Sequence, residues 1–198
     1  RGEGDRSTVS DVVPYGVPGA PEVTVTEADR ALEVTWTEPD TNGRDLAGYK
    51  VWVNGEEFAT VTADDTELVL DELDNGTTYV VKVAALTAYG EGERGSATVV
   101  PFGKAFAPNV HILEGDHRLN VSWTNADGNG RPVLDYEVYV DGEWYAPVEP
   151  EVTFLTVGGL TNGTDYVVDV VARTIAGAGE AGTATGNPFG KAFAPNVH

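Results

Sequence analysis

The chain contains no cysteine. It therefore has no disulfide framework, no thiolate zinc site and no cysteine nucleophile. Cations are scarce as well: Lys+Arg number 12 against Asp+Glu 32, a formal net charge of -20 over 198 residues. A surface with so few cations cannot displace counterions from a polyanion, so nucleic acid is excluded as a partner and anionic membrane surfaces are disfavoured. No apolar run reaches roughly 18 residues, and no membrane insertion is expected. The polar opening (Arg1, Gly2, Glu3, Gly4, Asp5) carries no export signal. The chain reads as a segment of something longer, with its targeting information elsewhere.

Hydrophobic residues make up 41% and aromatics 9%, with Gly 24 and Pro 11. This is enough apolar material for a core, delivered in short pieces broken by turn residues, which points to a folded, β-rich chain.

Self-similarity organises the sequence. Trp36 and Trp123 are 87 residues apart, as are Tyr49 and Tyr136, Leu73 and Leu160, Tyr79 and Tyr166, and Gly90 and Gly177. The segment from Phe102 to His111 recurs unchanged from Phe189 to His198. The expected domains are therefore repeats at 20–106 and 107–193, preceded by a last-strand fragment of another repeat at 1–16 and followed by the start of a further one at 194–198.

Within each repeat the apolar period is two. Leu32, Val34 and Trp36 alternate with polar or small residues, as do Tyr49, Val51 and Val53, and Tyr79, Val81, Val83 and Ala85. Asn54-Gly55 and Asp141-Gly142 suit two-residue hairpin turns. The pattern predicts strands in the first repeat near 22–26, 31–37, 48–54, 57–61, 67–70, 77–88 and 94–100, with no helix. Seven short strands in so few residues indicate a two-sheet sandwich.

On these residues each repeat resembles a fibronectin type III domain. A proline opens the first strand (Pro21, Pro108), a tryptophan lies in the second (Trp36, Trp123), and Asn42-Gly43 or Asn129-Gly130 leads to a strand tyrosine (Tyr49, Tyr136). Leu73 to Tyr79 and Leu160 to Tyr166, with Asn-Gly-Thr between, match the tyrosine corner of such sandwiches. Gly90 and Gly92, like Gly177 and Gly179, fit the family's glycine-rich loop before the last strand. The resemblance implies an all-β chain of two consecutive seven-stranded immunoglobulin-like sandwiches in an elongated array. Trp36, Tyr49, Leu73, Tyr79, Trp123, Tyr136, Leu160 and Tyr166 then form its structural core. More narrowly, the chain is similar to repeat arrays of secreted or surface-exposed bacterial proteins.

No constellation for catalysis or cofactor binding emerges. His111, His117 and His198 lack ligand spacing, and Glu143, Glu149 and Glu151 lie near strand ends with no groove to hold a carboxylate pair. Asp40 to Asp45 superficially resembles a calcium loop, but Arg44 occupies its fifth position and no glutamate closes it. No Arg-Gly-Asp loop is present. Asn75, Asn120 and Asn162 head glycosylation sequons, two of which the sandwich corner wants as turns anyway. No metal, no cofactor and no enzymatic activity are expected.

Two features carry binding expectations. Trp52 and Tyr139 are out of phase with the core positions and should face outward, with Trp144 in the next strand, as a platform for a protein or polysaccharide ligand. On the same face Lys50 and Lys82 are replaced by Glu137 and Asp169. The junction between repeats is short and holds Pro101, Phe102, Phe106 and Pro108. Prolines restrict the chain and phenylalanines would be wasted in a mobile linker, so the joint should be semi-rigid. The earlier junction carries Val17, Pro18 and Gly19 in place of Lys104, Ala105 and Phe106 and should pack differently.

The expected role is a non-enzymatic structural spacer, secreted or surface-exposed within a longer extracellular protein, whose partners are the neighbouring repeats of the same chain. The alternatives are a protein- or carbohydrate-binding adhesion module, and a segment of an assembled fibre or phage tail that self-assembles through its terminal strand fragments.

Overall fold

The computed structural model describes residues 16–190, so the expected fragments at either end lie largely outside the described residues. Among these residues there are fourteen strands and no helix. Two compact units divide the chain; the second takes in Ala28–Arg30, Leu73–Thr77 and everything from Pro101 onward, and the first takes the rest.

The first repeat runs β1 (Val23–Ala28), β2 (Ala31–Trp36), β3 (Leu46–Val53), β4 (Glu56–Val61), β5 (Glu67–Leu70), β6 (Tyr79–Thr87) and β7 (Gly90–Val99). Its sheets are ordered β1-β2-β5 and β4-β3-β6-β7. The second repeat runs β8 (Val110–Gly115), β9 (Arg118–Trp123), β10 (Asp135–Val140), β11 (Glu143–Val148), β12 (Phe154–Gly158), β13 (Tyr166–Thr174) and β14 (Gly177–Gly186). Its sheets, β8-β9-β12 and β11-β10-β13-β14, reproduce the same topology. The pairings β2–β5, β3–β4, β3–β6 and β6–β7, and all those of the second repeat, are antiparallel.

Local sequence accounts for the hairpins. Asn54 and Gly55 take φ of 52° and 91°, and Asp141 and Gly142 take 51° and 83°, the left-handed pair that a tight turn between twisted strands requires. Asparagine and aspartate tolerate that region because their short polar side chains bond locally, and each here accepts from the strand it faces: Val80 N to Asn54 Oδ1 and Val167 N to Asp141 Oδ1.

One expectation is corrected. Gly90, Gly92, Gly177 and Gly179 do not form a loop before the last strand; they lie within β7 and β14, and the turn is Ala88-Tyr89 or Ile175-Ala176. The strand starts early because Leu86 pairs with Glu91 and Thr87 with Gly90 across a bulge. Glycine is needed at Gly92 for a different reason: a Cβ there would lie 2.6 Å from the Pro18 carbonyl oxygen, where the segment entering the sandwich presses on β7.

The core lies between the two sheets of each repeat. Trp36 meets Tyr49 edge-on at 5.5 Å between ring centroids, and Trp123 meets Tyr136 at 5.6 Å. Leu32, Val34, Val51, Val81 and Val83 complete the first core, and Leu119, Val121, Val138, Val157, Val168 and Val170 the second. Each such side chain contributes roughly 1.5–3 kcal/mol by leaving water. Leu73, Tyr79, Leu160 and Tyr166 are half-buried at the corner between sheets. There Tyr166 Oη accepts a hydrogen bond from Thr161 N at 3.1 Å, the tie that gives the corner its name.

The two cores differ in one polar detail. Tyr136 Oη accepts from Ala126 N at 2.9 Å, whereas among the described residues nothing pairs with the buried Tyr49 Oη. The residue equivalent to Ala126 is Pro39, which has no N–H to give. Burial, followed by the charge of Glu38, raises the Tyr49 phenol above its ordinary range. Removing a satisfied hydroxyl costs about 1 kcal/mol, while removing an orphaned one costs nothing or stabilises. Tyr136→Phe should therefore lower the unfolding free energy of a second-repeat fragment by about that amount, and Tyr49→Phe in a first-repeat fragment should leave it unchanged or raise it, as urea denaturation would measure.

Candidate functional site

The segment that leads into each sandwich is hydrogen-bonded to it through main-chain atoms. In the first unit Gly19 N donates to Asp40 O (2.8 Å), Asn42 Nδ2 donates to Val17 O (2.7 Å) and Glu93 N donates to Pro18 O (2.9 Å). In the second, Phe106 N donates to Asp127 O (2.9 Å), Asn129 Nδ2 to Lys104 O (3.0 Å) and Glu180 N to Ala105 O (3.1 Å). These are the same three bonds at equivalent positions. The expectation that Val17-Pro18-Gly19 would pack differently from Lys104-Ala105-Phe106 is thus corrected for the backbone, because the docking uses atoms that every residue there possesses.

Side chains at the junction fall into two groups. Pro101, Ala105 and Pro108 are buried. Phe102 is half-buried, with the Arg131 guanidinium 4.2 Å from its ring centroid, a cation–π contact. Phe106 is 51% exposed, and its counterpart is Gly19. Phe102, rather than Phe106, is the aromatic held in place.

A polar cluster within the second unit fixes the same stretch. Asn75 Nδ2 donates one hydrogen to Asp29 Oδ1 (2.7 Å) and the other to Asn129 Oδ1 (2.9 Å), while its own Oδ1 accepts from Arg30 N (2.9 Å). Gly76 N donates to Pro101 O (2.9 Å) and Gly103 N to Asn129 O (3.0 Å). Gly130, at φ 93°, is required: a Cβ there would stand 2.7 Å from Gly76 N and 2.9 Å from Pro101 O. The sequence marks Asn75-Gly76 as a turn and a glycosylation sequon and Asn129-Gly130 as a turn, and nothing in it singles out Asp29. The recurrence of Asn-Gly at equivalent places of the two repeats, 42 with 129 and 75 with 162, was the available signal.

The outward aromatics are a different surface from the open platform expected. Trp52 is 5% exposed. Arg94 lies 3.8 Å from the ring centroid and Lys50 5.8 Å, and these cations are held in turn by Glu91 (2.8 Å) and Glu57 (2.9 Å). The long cationic side chains cover the indole, so Trp52 is no bare contact patch. At the equivalent place in the second repeat Tyr139 Oη donates to Glu137 (2.9 Å), and Arg173 Nε donates to Asp135 Oδ1 (2.6 Å) and reaches Glu137 at 3.5 Å. The Arg173 hydrogen bond holds the Asp135 carboxyl below its ordinary range, against a smaller opposing effect of burial. Trp144, on the edge strand β11, is 57% exposed, with the partly exposed Tyr145 beside it.

Paired three- and four-stranded antiparallel sheets, closed over a tryptophan–tyrosine contact and a tyrosine corner, define an immunoglobulin-like β-sandwich. The profile of the fibronectin type III domain matches residues 16–101 and 107–185, and the chain belongs to that family. Among curated proteins it is similar to a titin homolog of Caenorhabditis elegans, 29% identical over 189 residues, covering 84% of this chain and 1% of that protein. It is also similar to receptor-type tyrosine-protein phosphatase F of Bos taurus, 29% identical over 201 residues, covering 90% of this chain and 10% of the relative. The chain thus spans only a small part of these relatives. Among solved structures, the chicken CNTN1 FN1-FN3 domains align with a TM-score of 0.44 at 20% identity, covering 88% of this chain and 68% of that one. No helix among the described residues is long and apolar enough to cross a membrane.

Proposed function

We propose that the chain is a non-enzymatic spacer within a larger secreted or cell-surface protein, holding neighbouring domains through short, semi-rigid junctions. The observation that carries this reading is the pairing of the linker backbone: Pro101 O is taken by Gly76 N, and two residues on Gly103 N is already bonded to Asn129 O. A tether needs free residues to swing on, and this segment has almost none. Its buried prolines and the half-buried Phe102 support the same reading. Membership of the fibronectin type III family, with relatives that include a receptor-type protein, supports a structural or adhesive role at a surface.

Small-angle X-ray scattering on the whole chain tests it. The parent should give a narrow distribution of maximum dimensions, and Asn129→Ala combined with Gly130→Ala should broaden it while each repeat keeps its β-sheet circular dichroism. A parent as broad as the variant would contradict a semi-rigid junction.

A second reading, adhesion to a protein or polysaccharide, is favoured by Trp144, whose exposed indole stands beside Tyr145 on an unpaired sheet edge. If that surface binds, capture of the chain on a glycan or cell-surface protein array should be lost in Trp144→Ala; capture that survives the substitution removes Trp144 from the account.

A further inference from the structure

Asn-Gly pairs recur along the chain, and the two residues of such a pair can react with each other. The glycine nitrogen, on losing its proton, attacks the asparagine side-chain Cγ, closing a succinimide ring and releasing ammonia; water then opens the ring to aspartate or isoaspartate. Glycine favours the step because it has no side chain to hinder the approach. In a folded chain three conditions promote it: a glycine N–H with no acceptor, a leaving amide with no acceptor, and a donor to the side-chain oxygen, which gains negative charge as Cγ becomes tetrahedral. Asn54, Asn75 and Asn129 have their neighbours among the described residues and meet these conditions unequally.

Asn75 fails two of them. Gly76 N is bonded to Pro101 O (2.9 Å), and both hydrogens of the Asn75 amide are taken, by Asp29 and Asn129. Asn129 fails one, since its amide donates to Lys104 O (3.0 Å). It is also half-buried, and Gly130 lies so close to Gly76 and Pro101 that the turn has little room to move. Asn54 meets all three. Among the described residues neither Gly55 N nor Asn54 Nδ2 has an acceptor, both residues are exposed, and a Cβ built on Gly55 would meet nothing within 4 Å. The Asn54 oxygen accepts from Val80 N at 2.9 Å, the reach at which an N–H stabilises a developing oxyanion.

We propose that Asn54 is a site of spontaneous deamidation in the folded protein, with Gly55 N as nucleophile and the Val80 N–H polarising the amide it attacks, while the polar cluster holds Asn75 and Asn129 as amides. The bond from Gly55 N to Cγ replaces the bond from Cγ to Nδ2, the Gly55 proton leaves with Nδ2 as ammonia, and one water reopens the ring. Nothing is oxidised or reduced. The two products differ in what they do to the hairpin. Aspartate at 54 reproduces the second repeat, where Asp141 accepts from Val167 N at 2.8 Å in the same turn, so it adds a negative charge and keeps β4 on β3. Isoaspartate carries the main chain through Cβ, which lengthens a two-residue turn and disturbs the pairing of Val53 with Glu56 that the turn sets. The edge strand β4 is then loosened, and with it the Glu57 carboxylate that holds Lys50.

Peptide mapping by mass spectrometry, after incubation of the whole chain at mildly alkaline pH beside a guanidinium-unfolded sample, tests the assignment. In the folded chain the Asn54 peptide should gain its acid forms roughly tenfold faster than the Asn75 and Asn129 peptides, which must first break hydrogen bonds that the turn at Asn54 lacks. In guanidinium the three should convert at similar rates, because each asparagine is followed by glycine. The Asn54→Asp chain supplies the aspartyl standard from which the isoaspartyl peptide is told apart. Asn75 or Asn129 keeping pace with Asn54 in the folded chain overturns the proposal, as does a ranking that unfolding leaves unchanged, or an Asn54 that stays intact in the folded chain while the unfolded chain converts.

Discussion

The structure depends on a requirement of main-chain chemistry: a segment that leaves one sandwich and enters another carries N–H and C=O groups that must find partners wherever they are covered. In both repeats the entering segment meets this requirement against its own sandwich, on the loop before the third strand and on the glycine-lined start of the last strand. Once Gly103, Ala105 and Phe106 are paired there, Asn129 is fixed, and its side chain can serve as the acceptor that Asn75 engages. The tryptophan–tyrosine core makes each sandwich stable, but this backbone pairing turns a linker into part of the fold.

That constraint explains which sequence differences matter. Val17-Pro18-Gly19 and Lys104-Ala105-Phe106 share no side-chain chemistry yet make the same bonds, because the positions are read through carbonyls and amides. By contrast Pro39 for Ala126 removes an N–H and leaves a buried hydroxyl without its donor. The outer sheet faces diverge in another way. Lys50, Trp52 and Arg94 form a cation-covered indole in one repeat, and Glu137, Tyr139 and Arg173 an acid-centred network in the other. Each face is satisfied internally, which leaves Trp144 and Tyr145 as the more open aromatic surface.

The fold was legible because its signals are periodic and local: alternation placed the strands within a few residues, and Asn54-Gly55 and Asp141-Gly142 marked their hairpins. The start of β7 was not, since a bulge after Ala84 lets glycines that resemble a loop pair as strand. Phase alone could not show that Arg94, on a strand two places away in the sheet, lies across the Trp52 ring and leaves it buried. The polar-cluster residues Asp29, Asn75 and Asn129 are distant in sequence, and each has a sufficient local reason to be where it is, so no single-chain pattern marks them as a set.

Amide hydrogen exchange at Gly103, Phe106 and Glu180 tests the central claim most directly, since these N–H groups bond to Asn129 O, Asp127 O and Ala105 O. The account predicts protection within the range of the amides of β10 and β13, because the linker is bound as part of the sandwich. Exchange at these three amides as fast as in an unstructured peptide, with the strands still protected, would contradict it.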